Sequence, residues 1–467
     1  MFPIITFPYA ARVLLPEGIG TFNFLNSIIG YIILLTSLGV PMYAVREVSR
    51  HRSDKVHRDK ITIEIILLCA LLCLMGYVAV WLLAEYVPEI HSNARLFYVL
   101  SLAIVFNSIG VDWFYQAIED FKFITIRAII IRTLSAISLY IFVHSADDLL
   151  IYGFINLGTT VGNNLINFIH LRHHVSFRSF RLSELRVLRH LPPALHVFIL
   201  NLIISLYIQL NTIMLGFMSG EESVGYFTAG TKISHMALTF ITSIGLVIFP
   251  RCANLLHEGK LEEFSNIINK VLSLYLGLSI PVTVGLIILA TPLTMVFCGE
   301  EYTASIQVLI INAPVIIFIC LTGIMGIQVL FPMDKTNLVI LSVTGAAVAN
   351  IAFNYLLIPS LGATGAAWAT LIAEGMVFVM QLILGYKYYP FKLSRLFQWR
   401  YVVGAIVMGG GVYAATLPFS NNIVRLSVGI SAGVIVYYLF LYLTHDPMLE
   451  FVIATVKNKF NRHQSVS

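Results

Sequence analysis

Thirteen stretches of about 20 mostly apolar residues follow one another along this chain, separated by short polar connections. A helix of that length, rising 1.5 Å per residue, spans the roughly 30 Å hydrocarbon core of a bilayer. The stretches lie near residues 20–45, 61–85, 96–118, 124–143, 149–171, 194–218, 225–250, 267–290, 304–330, 338–358, 365–385, 401–417 and 424–444. A shorter run at 1–11 precedes Arg12. Only 11% of the 467 residues are charged and 58% are hydrophobic, against about 25% charged in an ordinary soluble domain. The medium around most of this chain is therefore lipid. The N-terminal residues show neither the basic start nor the small-residue cleavage site of a secretory signal, so the first spans are expected to direct insertion.

Charge placement orients the spans. Of the 29 Lys and Arg residues, 23 fall in seven segments: 46–60, 119–127, 172–190, 251–265, 331–337, 387–400 and 445–467. The alternate connections hold only Arg12, Arg95 and Arg425. This recurring imbalance places the basic side in the cytoplasm and supports the span count. The basic segments are read first as topology signals, with binding of anionic lipid headgroups as a secondary role.

Several spans carry polar residues on one face. Asn156, Thr160, Asn163, Asn167 and His170 follow alternating four- and three-residue steps; Asn201, Ser205, Gln209 and Thr212 form a second series. A third is Thr228, Lys232, His235, Thr239 and Thr242, and a fourth is Thr370, Glu374 and Gln381 with Val377 between them. Residues so spaced share a helix face. Hydrocarbon cannot satisfy their polar groups, which predicts that these faces meet other helices or a hydrated central passage. Interhelical hydrogen bonding alone would explain one or two stripes; four favour the passage. Asn156, Asn163, Asn167, Asn201, Gln209, Thr239 and Glu374 are the expected cavity-lining residues. Ionisable residues inside spans are costly and often functional. Lys232 sits well inside its stretch. Asp112 falls in depth between Arg127 and Arg132 on the following span, predicting a structural or gating charge pair across that hairpin. Glu64 reads as a helix-end residue.

The segment Glu17–Ile28 aligns with Glu222–Ile233 at a constant offset, matching the glutamates, Gly20 with Gly225, Phe22 with Phe227, and the terminal isoleucines. Both copies run on to a proline (Pro41, Pro250) and an arginine (Arg46, Arg251). Two copies in the same orientation indicate parallel repeats related about an axis along the membrane normal. Chemistry-bearing motifs are few. Gly225–Lys232 falls short of a phosphate-binding loop, since Thr-Lys replaces Lys-Ser/Thr and the segment lies inside a span. The five cysteines (Cys69, Cys73, Cys252, Cys298, Cys320) show no metal spacing and read as packing residues. No connection is large enough to hold the catalytic domain of a membrane glycosyltransferase or polymerase. A transporter without cofactor, metal or ATP-hydrolysing module is expected.

Three groups of residues resemble the polysaccharide flippases of the multidrug/oligosaccharidyl-lipid/polysaccharide exporter superfamily. They are Pro8-Tyr-Ala-Ala-Arg12 with Pro16-Glu-Gly-Ile-Gly20; Ser37-Leu-Gly-Val-Pro41 leading to Arg46 and Glu47; and Asp112-Trp-Phe-Tyr-Gln116, Glu119-Asp-Phe-Lys122 and Ile124-Thr-Ile-Arg127. The stretch from Val224 to Lys232 also looks like that family's eighth span. The resemblance covers nearly the whole chain and is strongest through residue 260. It implies an all-α, MATE-like integral membrane fold with two six-helix lobes, residues 1–190 and 191–390, around a central cavity. Two additional helices and a cytoplasmic tail fill 391–467, making about 14 spans with the first cut short. It further implies alternating access and export of polyprenyl-diphosphate-linked oligosaccharide repeat units, for O-antigen or capsule, across a bacterial inner membrane. Arg12, Arg46, Lys232 and His235 are the expected substrate-binding residues on that reading. Expected partners are the lipid-linked substrate, membrane lipids and polysaccharide polymerase or chain-length machinery, with no nucleic acid. An ion-coupled multidrug or small-molecule antiporter of the same superfamily is the alternative, and an integral-membrane polysaccharide polymerase or glycosyltransferase a distant third. Because the family usually carries more residues before Pro8, a start upstream of Met1 is expected.

Overall fold

The computed structural model describes residues 2–177, 180, 182–447 and 449–450, and all their regular structure is helical. The first helices are α1 (Phe2–Ser37), α2 (Val40–Arg50), α3 (Lys55–Tyr86), α4 (Pro88–His91), α5 (Ala94–Ser108), α6 (Asp112–Ala117), α7 (Phe121–Phe142), α8 (Leu149–Leu171) and α9 (Leu191–Ser219). They are followed by α10 (Glu221–His257), α11 (Leu261–Ile288), α12 (Ala290–Phe297), α13 (Ser305–Asn312), α14 (Val315–Thr322), α15 (Thr336–Leu361), α16 (Ala363–Gly385), α17 (Trp399–Thr416) and α18 (Asn422–Leu443). Ten helical runs among the described residues are long and apolar enough to cross a membrane, the first running from Ile4 to Arg50. Three more long helices, α8, α9 and α17, occupy the stretches expected at 149–171, 194–218 and 401–417. The chain is a multi-pass membrane protein.

Three expected spans are interrupted, each for a local reason. The stretch at 20–45 breaks at Gly39, whose φ of 68° ends α1. A Cβ there would also come within 2.7 Å of the Phe198 amide nitrogen on α9, so glycine serves both the turn and the contact. Beyond the break, α2 carries Pro41 in its first turn, where no intrahelical donor is lost, and buries Val40, Tyr43, Ala44 and Val48. The stretch at 96–118 breaks between α5 and α6, and Asp112 opens α6 where the helix dipole favours a carboxylate. The stretch at 304–330 breaks at Pro314, resumes as α14, and ends in a π-helix over Gly323–Leu330.

Packing divides the chain into two compact units, Met1–Thr228 and Ala229–Ser467. In the first, Trp113, Phe114 and Tyr115 of α6 lie in a core with Ile61, Ile65 and Leu68 of α3 and Val40, Tyr43 and Ala44 of α2. Two carboxylates on α3 tie the connection between α8 and α9 to that core. Asp59 accepts the Ser176 N–H at 3.0 Å, while neighbouring Arg58 donates to the His174 carbonyl at 2.9 Å. Glu64 accepts the Arg186 N–H at 2.7 Å and also holds Arg189 at 2.6 Å and His190 Nε2 at 2.8 Å. His190 Nδ1 lies 2.7 Å from the Tyr43 hydroxyl. A neutral imidazole that accepts from Tyr43 and donates from Nε2 to Glu64 satisfies all these groups. Glu64 is fully buried. The helix-end reading of Glu64 is thereby corrected: it is the anchor of the α8–α9 connection.

Burial pushes the His190 imidazole below its ordinary value, and hydrogen bonding to Glu64 only partly offsets this. The folded chain thus binds that proton more weakly than the unfolded chain. The stability that follows from this is present above the ordinary histidine pKa of 6.5 and is lost as pH falls through and below it. The thermal midpoint of detergent-purified protein is expected to fall between about pH 7.5 and about pH 5.5. His190→Gln is expected to flatten that fall, whatever it does to the midpoint at neutral pH. Parallel pH profiles for the two proteins would contradict the assignment.

Candidate translocation site

The candidate features are mid-depth charges in each unit and a close helix approach within the first unit, and each arises from a short local pattern. In the first unit the Asp112 carboxylate, opening α6, accepts from the Arg127 guanidinium at 2.9 Å and from the Asn167 amide. Arg127 and Asn167 are buried, and the Asn167 carbonyl accepts the Tyr115 hydroxyl at 2.9 Å. This network fastens α6, α7 and α8 together. Asn167 belongs to it rather than to an open passage, because every side of its side chain is enclosed. Arg132, expected to share Asp112, does not reach it. It lies in a separate recess of about 110 Å³ with Asn156, Ser135 and Thr159.

Five other members of the polar stripes bond the backbone of their own helices, although the Asn163 side-chain oxygen is buried without a partner among the described residues. The Asn156 and Asn163 amides donate to the Tyr152 and Thr159 carbonyls, four residues earlier, at 2.9 and 2.8 Å. Thr239, Thr242 and Thr370 donate to the His235, Leu238 and Ala366 carbonyls in the same way. Such back-bonding lets hydroxyls and amides sit in apolar helices without a partner helix or water. The stripes alone therefore do not require a hydrated passage. Lys232, half-buried on α10, lies eleven residues past Glu221, about 16 Å along the helix axis. His235 and Thr239 on the same helix are exposed, whereas Glu374 on α16 is buried. Arg12 on α1 and Arg46 on α2 are exposed. Gln209 lies against Gly30, whose added Cβ would meet its Oε1 at 2.5 Å. Asn201 and Ser205 fall outside the described side chains.

The two repeat copies meet. A Cβ on Gly20 would overlap the Glu221 carbonyl, and one on Gly225 would overlap the Pro16 carbonyl. Pro16 and Glu221 are themselves related by the repeat offset, so the contact is symmetric: each glycine receives the backbone preceding the other. Only residues without a side chain allow backbones this close. The Glu221 side chain accepts from Thr21 and from the Asn93 amide, the latter at 2.9 Å. Immediately before this crossing, α1 is kinked at Leu15, whose φ of 61° and ψ of 174° lie in a region that leucine rarely adopts. The repeat is legible in the sequence, but the contact between its copies is not.

Residues 1–256, more than half the chain, match the polysaccharide biosynthesis protein family. The chain belongs to that family. Within it, the chain is 28% identical over 330 residues to a protein of Escherichia coli (strain K12) described as an O-antigen transporter. That alignment covers 71% of this chain and 79% of the relative. The fold of this family member resembles that of the lipid II flippase MurJ in an inward closed conformation. The TM-score is 0.75 at 15% identity, with 95% of this chain and 96% of that chain covered. An inward-facing multidrug resistance MATE transporter of the MOP superfamily gives a TM-score of 0.64 at 15% identity, covering 83% of this chain and 94% of that chain. The fold is MATE-like, and at this identity the likeness to both structures speaks for the fold alone.

Proposed function

We propose that this protein is a flippase that moves polyprenyl-diphosphate-linked oligosaccharide repeat units from the cytoplasmic to the periplasmic leaflet of a bacterial inner membrane. The observation that carries the reading is the alignment over 330 residues with the relative described as an O-antigen transporter. The mid-depth cation Lys232 supports it, because a diphosphate crossing the bilayer interior needs an opposite charge in a medium where charges interact strongly. Residues 1–190 and 191–390 act as two lobes that expose the passage to one side at a time, with 391–467 as an added pair of helices and a tail. Arg12, Arg46, Lys232 and His235 serve the headgroup. Asn163, Gln209, Thr239 and Glu374 line the path at stages of the cycle, and Asp112 with Arg127 stiffens the first lobe. The driving force comes from an ion gradient or from supply and removal of substrate, and polymerase or chain-length machinery consumes the product. The likeness to the MATE transporter is one of fold, so drug export has no observation of its own.

Deleting the gene is expected to strip the cell surface of the polymer and leave lipid-linked repeat units in the cytoplasmic leaflet. Resistance to cationic drugs should be unchanged. Normal surface polymer together with drug sensitivity would replace this reading with drug export.

A further inference from the structure

Arg132 occupies an unfavourable place for an arginine. Helix α7 runs from Phe121 to Phe142, so Arg132 stands near its middle, about 15 Å from either end. That is too deep for its side chain to snorkel to either interface, and an arginine at such depth costs about 2.5–3.5 kcal/mol on insertion scales. The carboxylates of that hairpin are engaged elsewhere: Asp112 by Arg127 and Asn167, Glu119 by Arg52, and Asp120 by the Phe123 N–H. Among the described residues the Arg132 guanidinium makes no hydrogen bond or ion pair. Its recess of about 110 Å³ adds the Ser135 and Thr159 hydroxyls and the Asn156 amide, giving room for a phosphate-sized group or several waters.

A second cavity opens directly beside it. An apolar groove of about 400 Å³ between α7 and α8 is lined by Leu134, Phe142, Ile151, Phe154 and Gly158, and shares Ser135, Ile155 and Thr159 with the recess. An apolar trough thus leads to one unpaired guanidinium. Five N–H donors in a planar fork match phosphate oxygens, and an apolar trough at bilayer depth matches a hydrocarbon chain.

We propose that the Arg132 recess and the adjoining α7–α8 groove form one binding site for a phosphate-bearing polyprenyl chain, with the phosphate at Arg132 and the first isoprene units along Phe154 and Gly158. The inference rests on the flippase reading and adds to it where the lipid–phosphate junction is held. An ordinary phospholipid lacks the branched chain and is the competing occupant.

The test uses full-length protein in phosphatidylethanolamine vesicles with a photo-crosslinking phenylalanine in place of Phe154. Undecaprenyl diphosphate is expected to crosslink there, and undecaprenol less by about tenfold, reflecting loss of charge-assisted hydrogen bonds. Arg132→Gln should cut the diphosphate signal to the undecaprenol level, and Arg132→Lys should retain part of it. Gly158→Phe, at a position where an added Cβ meets nothing within 4 Å, should block the groove in a protein that still folds. Excess inorganic pyrophosphate should compete weakly. Equal labelling by undecaprenol and its diphosphate, or no effect of Arg132→Gln or Gly158→Phe, would overturn the site. Displacement by phosphatidylglycerol or complete displacement by pyrophosphate would also overturn it, showing a general lipid groove or a free-phosphate site. Failure of this labelling beside a deletion strain that accumulates lipid-linked repeat units would refute only the site. A deletion strain with normal surface polymer would refute the flippase reading instead.

Discussion

Lys232→Ala is expected to abolish or nearly abolish surface polymer while leaving the amount of protein in the membrane unchanged. The lysine lies on α10 about 16 Å from the end of that helix. A diphosphate passing at this depth gains more from a single cation than it would in water. Truncating one member of a desolvated, hydrogen-bonded charge pair costs about 2 kcal/mol or more, equivalent to roughly thirtyfold in rate. Lys232→Arg keeps the charge and is expected to keep part of the activity. Quantitative immunoblotting of surface polymer, with membrane protein level as the control, reads both variants. Full polymer from Lys232→Ala would remove this residue from the headgroup path.

Gly20→Val and Gly225→Val are expected to open the extracytoplasmic side of the protein. At both positions an added side chain would overlap backbone of the other repeat copy, and backbone cannot yield as a flexible side chain can. Overpacking of this kind costs about 1–3 kcal/mol, so separating the helices becomes favoured by about fivefold to a hundredfold. A cysteine replacing Thr21, buried at 2% exposure between these segments, reports the opening. External maleimide should label it slowly in the parent protein and about tenfold faster in either valine variant. Because the contact is symmetric, the two variants should behave alike. Unchanged labelling in both would show that the crossing does not close this side.

How much of this was legible in the sequence depends on separation along the chain. The spans were legible because apolar run length and alternating basic connections are local signals, and helices occupy every expected stretch. The breaks were less so. Gly39 and Pro314 stand in apolar surroundings, and only the close approach of α9 to Gly39 shows why the chain turns there. The Asp112 pairing was half legible. Rise per residue put two arginines within reach, but the direction of each side chain around α7 selects Arg127 and sends Arg132 to the recess. Glu64 could not be read as an anchor, because Arg186 and His190 lie more than a hundred positions away and carry no shared pattern with it. The polar stripes were visible but over-read: periodicity gives the face, not whether each hydroxyl already bonds its own backbone.

The most direct measurement is transport by the purified protein. Lipid-linked oligosaccharide is placed in both leaflets of sealed vesicles, and a glycan-cleaving enzyme is added outside. With the protein present, cleavage should progress from the outer leaflet's share to nearly the whole pool, and Lys232→Ala should stop at the outer share. Cleavage that halts at the outer leaflet with wild-type protein, in vesicles where it is folded and an ion gradient has been supplied in either direction, would contradict the flippase account.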